Sequence, residues 1–195
     1  MSQSVNLAIF APGAGSNAEK IIRHFQSSAH INVRLILCNK KDAGVFQVAR
    51  DNHIESVLIN KEDFFHSDKY ITLLKDAQIG LVILAGFLWK VPANLIQAFP
   101  ERIINIHPAL LPNYGGKGMY GHFVHEAVIA AGEKASGITI HLGDEEYDHG
   151  KHLFQIECPV AETDTSETLA QKIHQLEHRY FPVTIEKFIS KTFNK

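Results

Sequence analysis

The sequence predicts an α/β protein of the Rossmann-like kind: a mostly parallel sheet with helices on both faces, followed by a C-terminal strand pair and one long helix. Three observations predict it. Apolar runs of strand length alternate with segments of helical periodicity, the pattern of parallel strands joined by helical crossovers. The runs are apolar almost throughout, as in LVILAG at 81–86, which suits strands covered on both faces. The first run ends in a glycine-rich turn, PGAGSNA at 12–18, placed to open a helix.

In chain order, strands are expected at Val5–Ala11, Ile31–Cys38, Ser56–Ile59, Leu81–Ala85 and Arg102–Ile106. Helices are expected between them at Asn17–Gln26, Val45–Asn52, Asp68–Ala77 and Pro92–Phe99, where apolar residues recur at helical spacing. Beyond residue 120 the pattern changes to a helix about Phe123–Ala131, then strands Gly137–Leu142 and Leu153–Val160 that extend the same sheet. A long amphipathic helix from about Ser166 to Phe188 closes the chain, with Thr165 or Ser166 as N-cap and Glu167 in the first turn.

With 195 residues, 45% of them hydrophobic, the chain can bury a full core, and no linker or repeat divides it, so residues 1–195 are expected to form one domain. The formal net charge is −2 with twelve neutral histidines, and no basic run stands out. Neither nucleic acid nor a membrane surface is expected as a partner; a small molecule or a second copy of the chain is, and monomer and homodimer both stay open. Cys38 and Cys158 lie in apolar runs far from any CxxC spacing, which predicts reduced, buried thiols. The segment MSQSVNLAIFAPG has no basic residue before its short apolar run, and no apolar stretch approaches the roughly 20 residues of a membrane span. A cytoplasmic protein is expected.

Three short stretches carry polar residues in patterns that packing alone does not need. In INIHPALLPNYGG, at 104–116, Asn105 and His107 are two apart on a strand, so they project together while Ile104 and Ile106 turn to the core. In the first turn, Gly13, Gly15 and Ala18 fit a dinucleotide fingerprint, but the second strand ends in Cys38, Asn39, Lys40 and Lys41 with no acidic residue to hold a ribose. The more general chemistry remains: the N–H groups of Gly15, Ser16 and Asn17 at a helix N-terminus suit a phosphate-bearing ligand. In EEYDHG, at 145–150, Asp148 sits in a polar turn that Gly150 lets close sharply.

Together the GAGSN turn at 13–17, LAGF at 84–87, NIHPALLP at 105–112 and the D-x-G turn at 148–150 resemble the folate-dependent formyltransferases, from Asn6 to about Phe188. The resemblance implies direct transfer of a formyl group from 10-formyltetrahydrofolate to the primary amine of phosphoribosylglycinamide in purine biosynthesis, with no metal. It implies that Asn105, His107 and Asp148 are catalytic: the first two bind the formyl oxygen, and Asp148 pairs with His107 and raises its pKa. Gly15, Ser16 and Asn17 are implied to hold the substrate phosphate, and Glu177 and His174 to contact the rest of that substrate. For the folate, the implied residues are Leu88, Trp89, Lys90, Val91 and Asn105, with Gly143, Asp144, Glu145, Glu146, Tyr147 and Asp148 opposite. His141, on the strand approaching Asp148, is expected to support the site.

The chain departs from the family pattern at Pro12, and at Trp89 and Lys90, where many relatives carry Met-Arg or similar. A basic residue for the folate's acidic tail has no clean match; His66 and Lys69 are candidates. The stretch GGKGMYGH at 115–122 is longer and richer in glycine than usual, and reads equally as a mobile lid, with Lys117 near an anion, or as a flexible connection. The i, i+3 pairs His122/His125 and His149/His152 lack fitting partners, so no metal site is expected. Two rival functions stay open: a formyltetrahydrofolate hydrolase, whose members usually carry a further N-terminal domain, and a non-catalytic folate- or nucleotide-binding module. The added C-terminal RNA-binding domain of methionyl-tRNA formyltransferases is not expected here.

Overall fold

The computed structural model describes residues 4–193. Five parallel strands, β1 (Val5–Phe10), β2 (Ile31–Cys38), β3 (Glu55–Leu58), β4 (Ile79–Leu84) and β5 (Ile103–His107), are joined by helices. Two antiparallel strands, β6 (Ala135–Leu142) and β7 (His152–Pro159), complete one sheet in the order β3-β2-β1-β4-β5-β6-β7. The first four crossover helices lie within a residue or two of their expected ranges: α1 (Ser16–Phe25), α2 (Val45–Asp51), α4 (Lys69–Asp76) and α5 (Ala93–Ala98). One element was not expected, the short α3 (Lys61–His66), which Asn60 caps by accepting from Asp63 N–H at 2.8 Å.

The pleat sorts the strand residues into two cores. Leu7, Ile9, Ile104 and Ile106 pack with Ile21 of α1 and Ile173, Phe181 and Ile185 of the closing helix α7 (Ser166–Phe193). Ala8, Phe10, Val82 and Ile103 pack on the opposite face with Phe64, Leu74 and Leu95 of α3, α4 and α5. Near-continuous apolar strands thus mean what they usually mean, a sheet buried on both faces. Ile104 and Ile106 are in the core as expected, and α7 runs to Phe193 rather than stopping near Phe188. Cys38 is fully buried, but Cys158, on the outer strand β7, is only half-buried, because an edge strand has no neighbour to cover it. Among the described residues, no helix is long and apolar enough to cross a membrane.

The order of the strands positions the site. From β1 the chain winds outward to β2 and β3, then returns to place β4 on the other side of β1. At such a switch the crossovers leave in opposite directions and a crevice opens at the carboxyl ends of the strands. The segments that follow β1, β4 and β5 all emerge there.

Candidate active site

A cleft of about 630 Å³ occupies that crevice, a size typical of small-molecule sites. One end is made by the turn after β1. Gly15 caps α1 in the left-handed region, at φ 83, and a Cβ there would lie 2.8 Å from the Val45 side chain. Only glycine satisfies both demands. The first N–H groups of α1 have no partner within the helix, and Gly15, Ser16 and Asn17 line the cleft. Asn17 reaches from this turn across to α7, where its Nδ2 donates to Glu177 Oε2 at 2.9 Å. Glu177 is buried, and burial pushes its carboxyl up against the opposing pull of Asn17 and His174. His174 lines the cleft one helical turn before it.

The other end is made by β5, β6 and the turn after β6. Asn105 and His141 face each other in register on neighbouring antiparallel strands, so their side chains meet. His141 Nδ1 donates to the carbonyl of Leu142 at 2.9 Å, which leaves Nε2 as an acceptor for Asn105 Nδ2 at 3.0 Å. The second hydrogen of that amide reaches Asp148 Oδ1 at 3.4 Å. Asp148 lies at φ 57, a conformation that aspartate tolerates better than most residues. Its Oδ2 accepts Gly116 N–H at 2.9 Å and stands 3.5 Å from His107 Nδ1; its Oδ1 stands 3.5 Å from His141 Nε2. Burial raises the Asp148 carboxyl, but His141, His107 and Gly116 N–H together outweigh it, and the net pKa is below the usual carboxylate value.

His107 corrects one expectation. Its pKa is lowered, not raised: burial of the ring, 3% exposed, outweighs the pull of Asp148 and the Tyr114 carbonyl. Nε2 lies 2.7 Å from Tyr114 O, and a carbonyl only accepts, so Nε2 carries the proton. In the neutral ring Nδ1 is therefore a bare lone pair facing Asp148 and the cleft.

Residues 114–116 are clasped onto His107 and Asp148, with Tyr114 O on His107 and Gly116 N–H on Asp148, and Tyr114 Oη donates to Glu133 at 2.7 Å. Gly116–Gly121, with Lys117, line the cleft. Leu88, Trp89, Lys90 and Val91 follow β4 along one wall; Gly143, Asp144, Glu146 and Tyr147 lie along the other. Glu145 is exposed in the same turn and does not line the cleft. Trp89 packs against Phe64, Phe65 and Phe87, with Lys61 Nζ 6.0 Å from its ring. Lys69 is engaged by Asp63 at 2.6 Å. Among the described residues, no group of three or more His, Cys, Asp or Glu side chains is placed to hold a metal ion.

One cleft residue was passed over as half of a His122/His125 pair. On α6 (His122–Ala130), His125 is 3% exposed and lines the cleft. Burial first, then His174, His107 and His122, push its pKa down to about 4. An unfolded histidine binds its proton near 6.5 and the folded one only near 4, so stability is full above 6.5 and falls as pH drops through this window. The parent chain is expected to lose about 2–3 kcal/mol more than His125→Leu between about pH 7 and about pH 4.5, measured by denaturant unfolding. Equal losses would place the acid-sensitive group elsewhere.

A helix N-terminus stands at one end of the cleft, and an amide, an imidazole and a carboxylate converge at the other, the polar groups of a group-transfer protein. The formyl transferase family model matches residues 5–185, and the chain belongs to this family. It is 42% identical over 181 residues to the chloroplastic phosphoribosylglycinamide formyltransferase of Arabidopsis thaliana, covering 90% of this chain and 62% of that one. It is 34% identical over 187 residues to the phosphoribosylglycinamide formyltransferase of Bacillus subtilis, covering 93% of each. The crystal structure of the Bacillus halodurans phosphoribosylglycinamide formyltransferase superposes with TM-score 0.87 at 35% identity, covering 97% of each chain. The chain spans about three fifths of the length of the two plant relatives it matches, 62% and 59%.

Proposed function

We propose that this chain transfers a formyl group from 10-formyltetrahydrofolate to the amine of phosphoribosylglycinamide, a step of purine biosynthesis. The observation that carries the reading is the convergence of Asn105, His107 and Asp148 at one end of a cleft whose other end is the glycine turn of α1. Relatives named for this activity align over nearly the whole chain. Two residues that line the cleft, Asn17 and His125, each carry a buried polar atom without a hydrogen-bond partner, which suits a site that tightens around a polar ligand.

Gly15, Ser16 and Asn17 hold the acceptor's phosphate, and Glu177 and His174 its middle, so that its amine points at the catalytic end. The folate's ring system lies between Leu88–Val91 and the turn from Gly143 to Asp148, with Glu145 outside the contact. The amine attacks the formyl carbon, a C–N bond forms and the carbonyl oxygen gains negative charge. Asn105 Nδ2 turns one hydrogen from its long contact with Asp148 to that oxygen, where a preorganised donor is worth most. The neutral His107 accepts the amine's proton at Nδ1, directly or through a water. The resulting imidazolium, flanked by Asp148, donates to the same oxygen and then returns the proton to the folate nitrogen as the old C–N bond breaks. His107 thus acts as base before acid, an order that follows from its lowered pKa.

The test is to incubate the purified chain with 10-formyltetrahydrofolate, with and without phosphoribosylglycinamide, and follow folate deformylation. Acceptor-dependent loss is expected. Loss without acceptor points to a hydrolase, and no loss to a binding module.

A further inference from the structure

His125 takes no part in the catalytic contacts, yet it lines the cleft, is 3% exposed, and its Nδ1 is buried with no hydrogen-bond partner. An orphaned buried nitrogen destabilises the empty protein unless a ligand completes it. Among the described residues five buried side chains carry such an atom, and only Asn17 and His125 also line the cleft. His125 lines the same cleft as His107 of the proposed catalytic end and as His174 and Glu177 of the other.

We propose that His125 is a positioning residue for the acceptor, and that its imidazole hydrogen-bonds a hydroxyl of the phosphorylated sugar between phosphate and amine. The proposal rests on the transfer reading above. A hydroxyl both donates and accepts, so it satisfies either neutral tautomer of the ring. A ring held uncharged offers no ion pair to a phosphate oxygen or a carboxylate, so a neutral hydroxyl suits it better. Asn17 Oδ1, the second orphan, can only accept, and a hydroxyl or amide hydrogen of the same substrate suits it. The pair would fix the acceptor in the middle of its length, where a small displacement removes the amine from attack distance.

The experiment uses steady-state kinetics of the full chain with phosphoribosylglycinamide and with analogues lacking the 2- or the 3-hydroxyl of the ribose. In His125→Leu the acceptor KM is expected to rise roughly tenfold, as for one lost neutral hydrogen bond, while the KM for 10-formyltetrahydrofolate stays unchanged. The parent chain discriminates against one deoxy analogue, and the variant does not. His125→Gln, which keeps a donor and an acceptor, restores part of the affinity and carries the test if the leucine variant fails to fold. An acceptor KM and a deoxy discrimination equal to those of the parent chain overturn the proposal, as does a parallel rise in both KM values. If the parent chain shows no acceptor-dependent transfer, the transfer reading has failed by itself. Calorimetric binding of ribose 5-phosphate then decides: tighter binding to the parent chain than to His125→Leu supports the contact, and equal binding overturns it.

Discussion

An Asp148→Asn protein is expected to turn over about a thousandfold more slowly than the parent chain while staying folded, with a modestly lower melting temperature. The amide is isosteric, and its oxygen can still accept the Gly116 N–H that the carboxylate takes at 2.9 Å. The turn therefore keeps its shape. What disappears is the negative charge 3.5 Å from both His107 Nδ1 and His141 Nε2. His107 is already held below its ordinary pKa by burial, and without Asp148 nothing opposes that burial except the Tyr114 carbonyl. The imidazolium needed after proton transfer then forms at a far greater cost. Because the Asp148 carboxyl has a lowered pKa, its stabilising contribution is present above the unfolded carboxylate range and is lost as pH falls through the folded value. The variant should lack that portion of the acid limb. Steady-state kinetics with both substrates, alongside a thermal melt, check the expectation; near-normal turnover in a folded protein would sink the catalytic assignment.

Gly150→Ala is expected to damage both the fold and the activity. A Cβ at this position would lie 1.7 Å from the Leu142 carbonyl oxygen and 2.8 Å from its carbon, both backbone atoms that cannot swing aside. Leu142 also donates to the Lys151 carbonyl at 2.9 Å, closing the base of the turn that carries Asp148. The extra methyl must push β6 and the returning chain apart, at about 2–4 kcal/mol, and it carries Asp148 away from His107. Turnover is expected to fall at least about a hundredfold, because misplacement by an ångström is enough. Gly13→Ala is the control, since its Cβ would meet nothing within 4 Å; its stability should change by less than about 1 kcal/mol. Denaturant unfolding and turnover of the two variants give the comparison. Equal stabilities for both would mean that the turn relaxes freely.

Much of this geometry is legible in the sequence because it depends on short-range periodicity. The two-residue spacing puts Asn105 and His107 on one face, and near-continuous apolar strands require cover on both sides, whatever the rest of the chain does. The glycine turn is legible for the same reason, since its backbone conformation is local. Other features depend on distances the sequence does not carry. The direction of the His107 shift is set by how deeply its ring is buried, a property of the whole fold, so a neighbouring carboxylate alone gave the wrong sign. The clasp of Tyr114 and Gly116 on His107 and Asp148 joins residues that share no pattern. His125 lies on a helix that is mostly apolar, where a histidine reads as surface until packing shows it buried. Helix α3 is too short for periodicity to reveal, although its Asn60 cap with Asp63 in the first turn was a usable signal.

The hydrogen bond from Asn17 to Glu177 ties residues 160 positions apart, and this gives the site an order in time. Chains grow from the amino end and their early segments begin to fold first. The glycine turn after β1 and strand β5 can therefore take shape before α7 has been synthesised. Glu177 joins the cleft only when α7 docks. The Asn17–Glu177 bond that spans this end of the cleft is therefore among the later contacts to form.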